Sequence, residues 1–241
     1  MVKSKPSMTS TLDKIKSGEL IHTMAGNYPS SMDALVDSNG HISLDAADYK
    51  DYSREEVETF LASRGYETHL ILDQDGEIVS MDSQWRGDKV KHNLTADSLY
   101  IRRAGSDGAG FTDMHTHPFT LDDGQVQVFS PSDIKSYVRA VGYRDDQSFP
   151  MALPTKFRVV AGDGSFFELE YVGGGQRATK NMKTAYTRAF NSEMKRMDKE
   201  PYLSVRGQAD EVTSGVNEWL SENAGKYGFR YNTNWTSKPI R

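Results

Sequence analysis

The sequence predicts an α/β protein: a mixed sheet of about six strands flanked by helices. Three observations carry that expectation. Two pairs of β-rich segments, at 68–81 and 156–172, flank Gly-containing turns. A capping box precedes the first pair, a Ser-Pro helix start stands between the two, and beyond residue 175 the apolar spacing becomes helical.

Taken in order, residues 1–52 read as an N-terminal arm, rich in Ser, Asp, Gly and Lys, with turn clusters at Asn27–Ser30 and Ser38–Gly40. At Ser53-Arg54-Glu55-Glu56 a capping box opens a helix that carries Val57, Phe60 and Leu61 until Gly65. Strands at 68–72 and 77–81 then enclose Asp73-Gln74-Asp75-Gly76, a hairpin. Further strands are expected at 97–103 and 110–115. Pro131 takes the first position of a helix bearing Ile134, Tyr137, Val138 and Val141. A second hairpin follows at 156–172 around Gly162-Asp163-Gly164. Gly173-Gly174-Gly175 marks the end of a core over 53–175 and the start of a C-terminal helical extension over 176–241. In the extension, a long helix from Ala178 to Met197 and another at about 208–225 precede an aromatic tail, Tyr227–Tyr231.

Composition excludes several function classes. The 241 residues, 37% hydrophobic, can bury a core. Twenty-nine Lys+Arg against 34 Asp+Glu, with neither sign in long blocks, argue against a nucleic-acid partner. Without cysteine there is no disulfide scaffold, no thiol catalysis and no thiolate zinc site, so any metal falls to His, Asp or Glu. Charges at Asp13, Lys14, Lys16 and Glu19 break every apolar stretch near the start, and mean hydropathy is −0.65. A cytoplasmic protein with no membrane partner is the expectation.

The chemistry concentrates in Phe111-Thr112-Asp113-Met114-His115-Thr116-His117-Pro118. Histidines two apart on a strand lie on one side of the pleat, so both imidazoles can reach one ion. Downstream stands Ser130-Pro131-Ser132-Asp133, and upstream Glu67 opens the first strand. Glu…His-Thr-His-Pro…Ser-x-x-Asp resembles the motif of the JAMM (MPN+) zinc metalloproteases, over about residues 54–172. The resemblance implies a JAMM-like (cytidine-deaminase-like) α/β fold and a Zn²⁺ held by His115, His117 and Asp133. It also implies a peptide or isopeptide substrate, ubiquitin-like conjugates being the family's best-known targets.

In that reading an ion with three protein ligands activates a water. Glu67 serves as general base and Ser130 as donor to the developing oxyanion. Two departures stand out. The stretch Phe119–Phe129 is longer than the family's usual spacing, and its polar tip with Val126, Val128 and Phe129 suggests a small hairpin beside the substrate groove. Thr68-His69-Leu70 occupies a region where the family often has a small residue. Glu77, in the same hairpin as Glu67, is the alternative base, and His69 reads as an ordinary strand histidine. A binding or scaffold module with the same ligands is a second function class. Asp113-Met114-His115-Thr116-His117 also looks like the opening strand of PHP phosphoesterases and amidohydrolases, but those sites need later histidines and all six here fall at or before His117.

Overall fold

The computed structural model of the chain describes residues 28–83, 110–118, 126–141, 154–200 and 202–236. Its strands are β1 (Thr68–Leu72), β2 (Ile78–Ser83), β3 (Phe111–His117), β4 (Pro154–Ala161), β5 (Phe166–Tyr171) and β6 (Phe229–Thr233). They form one open sheet in the order β2-β1-β3-β4-β5-β6. β3 and β4 run parallel and every other neighbouring pair is antiparallel, so the sheet is mixed, with helices flanking it.

Local chemistry explains the hairpins. Asp73 Oδ1 accepts the N–H groups of Asp75 and Glu77, each at 2.9 Å, and Gly76 at φ 90° completes the β1–β2 turn. Between β4 and β5, Gly164 at φ 82° does the same. Helix α1 (Arg54–Ala62) begins at the expected capping box: Ser53 Oγ accepts the Glu56 N–H at 3.3 Å, and the Glu56 carboxylate accepts the Ser53 N–H at 2.8 Å. The parallel β3–β4 pair needs a crossover, and α2 (Pro131–Val141) lies within it.

The two faces of the sheet have separate cores. Leu70, Leu72, Met81, Met114 and Val160 pack against Val57, Phe60 and Leu61 of α1, and against Met32, Ile42 and Tyr49 from the segment before it. Over residues 28–52 the N-terminal arm thus contributes fully buried side chains to the sheet. On the opposite face Phe157, Val159, Ala161, Phe167 and Leu169 lie under α2 and under α3 (Gly175–Met197) and α4 (Val205–Asn223). Met182 and Tyr186 of α3 and Val212, Val216 and Leu220 of α4 belong to this same cluster.

The strand expected at 97–103 lies outside the described residues. The sixth strand of the described sheet, β6, comes from the aromatic tail and pairs with β5 from Phe167↔Thr233 to Tyr171↔Phe229. Five residues with no turn beside a partner strand give no readable hairpin signal, because the partner lies about 60 residues earlier. The triple glycine has a matching role. Gly228, at φ 83°, approaches so closely that a Cβ on it would stand 2.0 Å from the Gly173 carbonyl oxygen. Glycine there serves close backbone contact between the end of β5 and the start of β6.

Replacing Gly228 by Ala therefore combines a left-handed backbone with a backbone clash, and is expected to lower unfolding free energy by about 2 kcal/mol. Gly225→Ala, where a Cβ meets open space, serves as the control. Urea denaturation of both variants checks the difference.

Candidate metal centre

β3 delivers two of the site residues by strand period alone. His115 and His117 project to one face, while Thr116 between them projects to the other and accepts the Thr68 N–H through Oγ1 at 2.9 Å, tying β1 to β3. The strand's last carbonyl, that of His117, accepts the Gly162 N–H at 3.1 Å. Asp133 arrives from the first turn of α2. Ser130 precedes that helix and caps it: its Oγ accepts the Asp133 N–H at 3.2 Å, and Asp133 Oδ2 accepts the Ser130 N–H at 2.6 Å. The aspartate is fixed by the helix start that also places it at the carboxyl end of β3.

The three side chains converge. His115 Nε2 and His117 Nε2 are 3.1 Å apart, and Asp133 Oδ2 lies 3.6 Å from the first and 3.7 Å from the second. Among the described residues this is the group of His, Asp and Glu side chains whose donor atoms come together closely enough to hold a metal ion. His117 is nearly buried, and its Nδ1–H donates to the Gln127 carbonyl at 3.1 Å. That bond sets the tautomer, leaving the Nε2 lone pair facing His115 and Asp133. The His115 ring packs 5.4 Å from the Phe157 ring, centroid to centroid.

The electrostatics follow from the convergence. Burial would lower the His115 pKa, but the hydrogen bond and charge of Asp133, helped by the charges of Asp113 and Glu67, hold it above the ordinary imidazole value. Burial would raise the Asp133 carboxyl, yet its interactions with His115 and His117 hold it well below the usual carboxylate range.

Glu67 and Ser130 take distinct places. Glu67 immediately precedes β1, whose pairing with β3 reaches as far as His69↔His115. Its charge reaches His115, while its carboxylate stands outside the three-donor group. Glu77 is exposed in the turn at the opposite end of β1, where its carbonyl accepts the Asp73 N–H, about 20 Å from Glu67 along the strand at 3.3 Å per residue. The Ser130 hydroxyl, besides capping α2, sits 2.7 Å from the Ser132 hydroxyl.

Two features had no readable signal in the sequence. His69 Nε2 lies 2.8 Å from Asp113 Oδ1, so Asp113 turns to β1. Only the β1–β3 register brings that pair together. The Gln127 carbonyl is a backbone group that no residue pattern announces. Residues 119–125 of the lengthened loop lie outside the described residues. Its remainder, Val126 to Phe129, is irregular where a short strand is expected, with Gln127, Val128 and Phe129 buried. Val128 and Phe129 face the core under α2 to α4, and that burial replaces strand pairing.

Comparison of the chain with protein-family models, with curated proteins and with solved structures finds no match.

In metal-free protein, the depressed Asp133 contributes stability that is present above its unfolded pKa and lost as pH falls through the folded value. The raised His115 contributes stability that is present below its unfolded pKa and lost as pH rises through the folded value. The pair is therefore expected to stabilise most between about pH 4 and 6.5. Unfolding of wild type and Asp133→Asn across pH 3–9 checks this: the gap between them should narrow on both sides of that window.

Proposed function

We propose that the chain is a zinc-dependent hydrolase of peptide or isopeptide bonds of the JAMM type, its metal held by His115, His117 and Asp133. The observation that carries this reading is the donor triangle of 3.1, 3.6 and 3.7 Å. Donors 2.0–2.1 Å from a tetrahedral zinc stand about 3.3 Å apart, so the triangle suits that ion. Two imidazoles and one carboxylate are also the donor set of catalytic rather than structural zinc, three protein ligands leaving a fourth position for water or substrate. The element order supports the family: helix, Glu before the first strand, His-x-His at the end of a later strand, Asp in the first turn of the next helix.

A Zn²⁺ in that triangle supplies a Lewis acid and brings the pKa of a coordinated water down towards ~7. The chain's own residues do the rest. The Glu67 carboxylate, whose charge reaches His115, accepts the proton that the attacking water loses and passes it to the departing amine, because an unprotonated amine leaves a tetrahedral carbon poorly. Asp133 Oδ2, the oxygen of the donor triangle, also accepts the Ser130 N–H at 2.6 Å, so the bond that ties the helix start to Asp133 fixes the ligand oxygen itself. Ser130 Oγ spends a lone pair on the Asp133 N–H, so its own proton remains for a developing oxyanion when Ser132 donates to it.

Wild type prepared without added metal is expected to carry one zinc, and His117→Ala or Asp133→Ala to lose most of it while remaining folded, since both hydrophobic cores are independent of the ion. Metal analysis alongside circular dichroism checks both halves of that statement.

Glu67→Gln is expected to keep the zinc and lose turnover by about 10²-fold or more, while Glu77→Gln keeps both. The zinc-loaded protein is assayed on a mixed peptide library and on a ubiquitin–lysine isopeptide, with cleavage read by mass spectrometry. A protein that carries its zinc and cleaves neither substrate is a binding module, and an active Glu67→Gln would remove Glu67 from the reaction.

A further inference from the structure

We infer that the two C-terminal helices set the geometry of the metal centre, with Thr213 of α4 and Tyr186 of α3 as positioning residues acting through the segment 126–130, whose residues 127–129 are buried. The inference deepens the metal reading above and rests on it. It starts from the Gln127 carbonyl, the acceptor that fixes the His117 tautomer at 3.1 Å. That carbonyl belongs to a segment that is neither helix nor strand, although Gln127, Val128 and Phe129 are all buried.

Buried irregular backbone has no ladder to satisfy it, so its polar groups must find partners among side chains. Here those partners come from α3, α4 and the ligand Asp133. The Gln127 N–H donates to Thr213 Oγ1 at 3.1 Å. The Thr213 hydroxyl sends its own proton to the Ala209 carbonyl at 2.8 Å, which leaves an oxygen lone pair facing Gln127. The Tyr186 hydroxyl donates to the Phe129 carbonyl. The Ser130 N–H completes the run by donating to Asp133 Oδ2 at 2.6 Å. One residue, Gln127, is therefore held by α4 through its N–H and holds His117 through its C=O.

Packing alone does not call for these hydroxyls. Thr213 is 1% exposed and Tyr186 fully buried, and valine or phenylalanine would fill almost the same volume there. What valine and phenylalanine would not do is accept the Gln127 N–H or donate to the Phe129 carbonyl. Tyr186 is itself aimed by its ring contacts, 5.8 Å from the Trp219 ring and 6.2 Å from that of Phe190, centroid to centroid. The helices past the triple glycine thus reach the His117 side of the site through one hydrogen-bonded chain: Ala209, Thr213, Gln127, His117.

The test uses the full chain and reads two properties besides turnover. In metal-free ¹⁵N-labelled protein, imidazole correlation spectra give the share of His117 carrying its proton on Nδ1. Competition with a chelator gives zinc affinity. Thr213→Val is expected to lower the Nδ1–H share and weaken zinc binding by about 10-fold, the usual consequence of losing a group that orients a ligand histidine. Tyr186→Phe should act in the same direction from the other helix. Thr213→Ser, which keeps the hydroxyl, should behave as wild type. Val216→Ala loosens the same core without removing either backbone hydrogen bond of Gln127, and should leave both readings unchanged despite lower stability. If Thr213→Val and Tyr186→Phe match wild type in both readings, or if Val216→Ala shifts them equally, the helices only pack and the inference is overturned. Should wild type bind no zinc, the metal reading falls, and the His117 tautomer still decides whether the helices orient the histidine.

Discussion

The parallel pairing of β3 with β4 is the constraint from which the rest of the site follows. An antiparallel partner can be reached by a tight turn, but a parallel one requires the chain to travel back along the sheet before the next strand begins. α2 lies within that return, and its first turn falls over the carboxyl end of β3, where ligand sites of open α/β sheets commonly gather. His115 and His117 end that strand and Asp133 begins that helix. The three donors meet because a strand end and a helix start must lie close together in any such crossover.

What turns proximity into a defined site is the accounting of backbone polar groups between the strand and the helix. Leaving β3, the chain enters the core before α2 begins, and from Gln127 to Ser130 its amides and carbonyls have no strand to pair with. Each one named above is taken by a side chain with a further duty: His117, Thr213, Tyr186 or Asp133. Loss of any of these partners would leave a buried amide or carbonyl unpaired, a cost of about 1–3 kcal/mol. Such a segment holds few alternative conformations, and the atoms it presents to the histidines are placed accordingly.

The opposite face of the sheet shows a different solution to buried polarity. Arg158 of β4 lies between Glu58 of α1 at 2.8 Å and Glu168 of β5 at 3.2 Å, with its guanidinium 3.8 Å from the Phe166 ring centroid. Arg54 adds a 2.7 Å contact to Glu58. Paired charges of this kind contribute little net stability against an apolar replacement, though breaking one partner would strand the other. They dock α1 onto the sheet in one orientation, and α1 leads directly into Glu67 and β1. Geometry on the side away from the histidines thereby reaches the residue proposed as base.

Much of the site was legible in the sequence because its signals are local. A strand's period of two puts His115 and His117 together within three residues, and Ser130 to Asp133 is at once a helix cap and a ligand position. The hairpin at 68–83 and the capping box of α1 were readable for the same reason: their partners sit within a few residues of one another. What only the tertiary structure decided involves partners far apart in the chain. The family layout favours Glu67 over Glu77 in the sequence, but which of them comes near the histidines is decided by the fold: the charge of Glu67 reaches His115, and Glu77 is exposed in the turn at the far end of β1. The pairing of β6 with β5, the contact of Gly228 with Gly173, the turn of Asp113 to His69 and the hold of Thr213 on Gln127 belong to this second class. Each depends on shape complementarity and hydrogen-bond satisfaction across 44 to 86 residues, where periodicity and composition no longer constrain which group meets which.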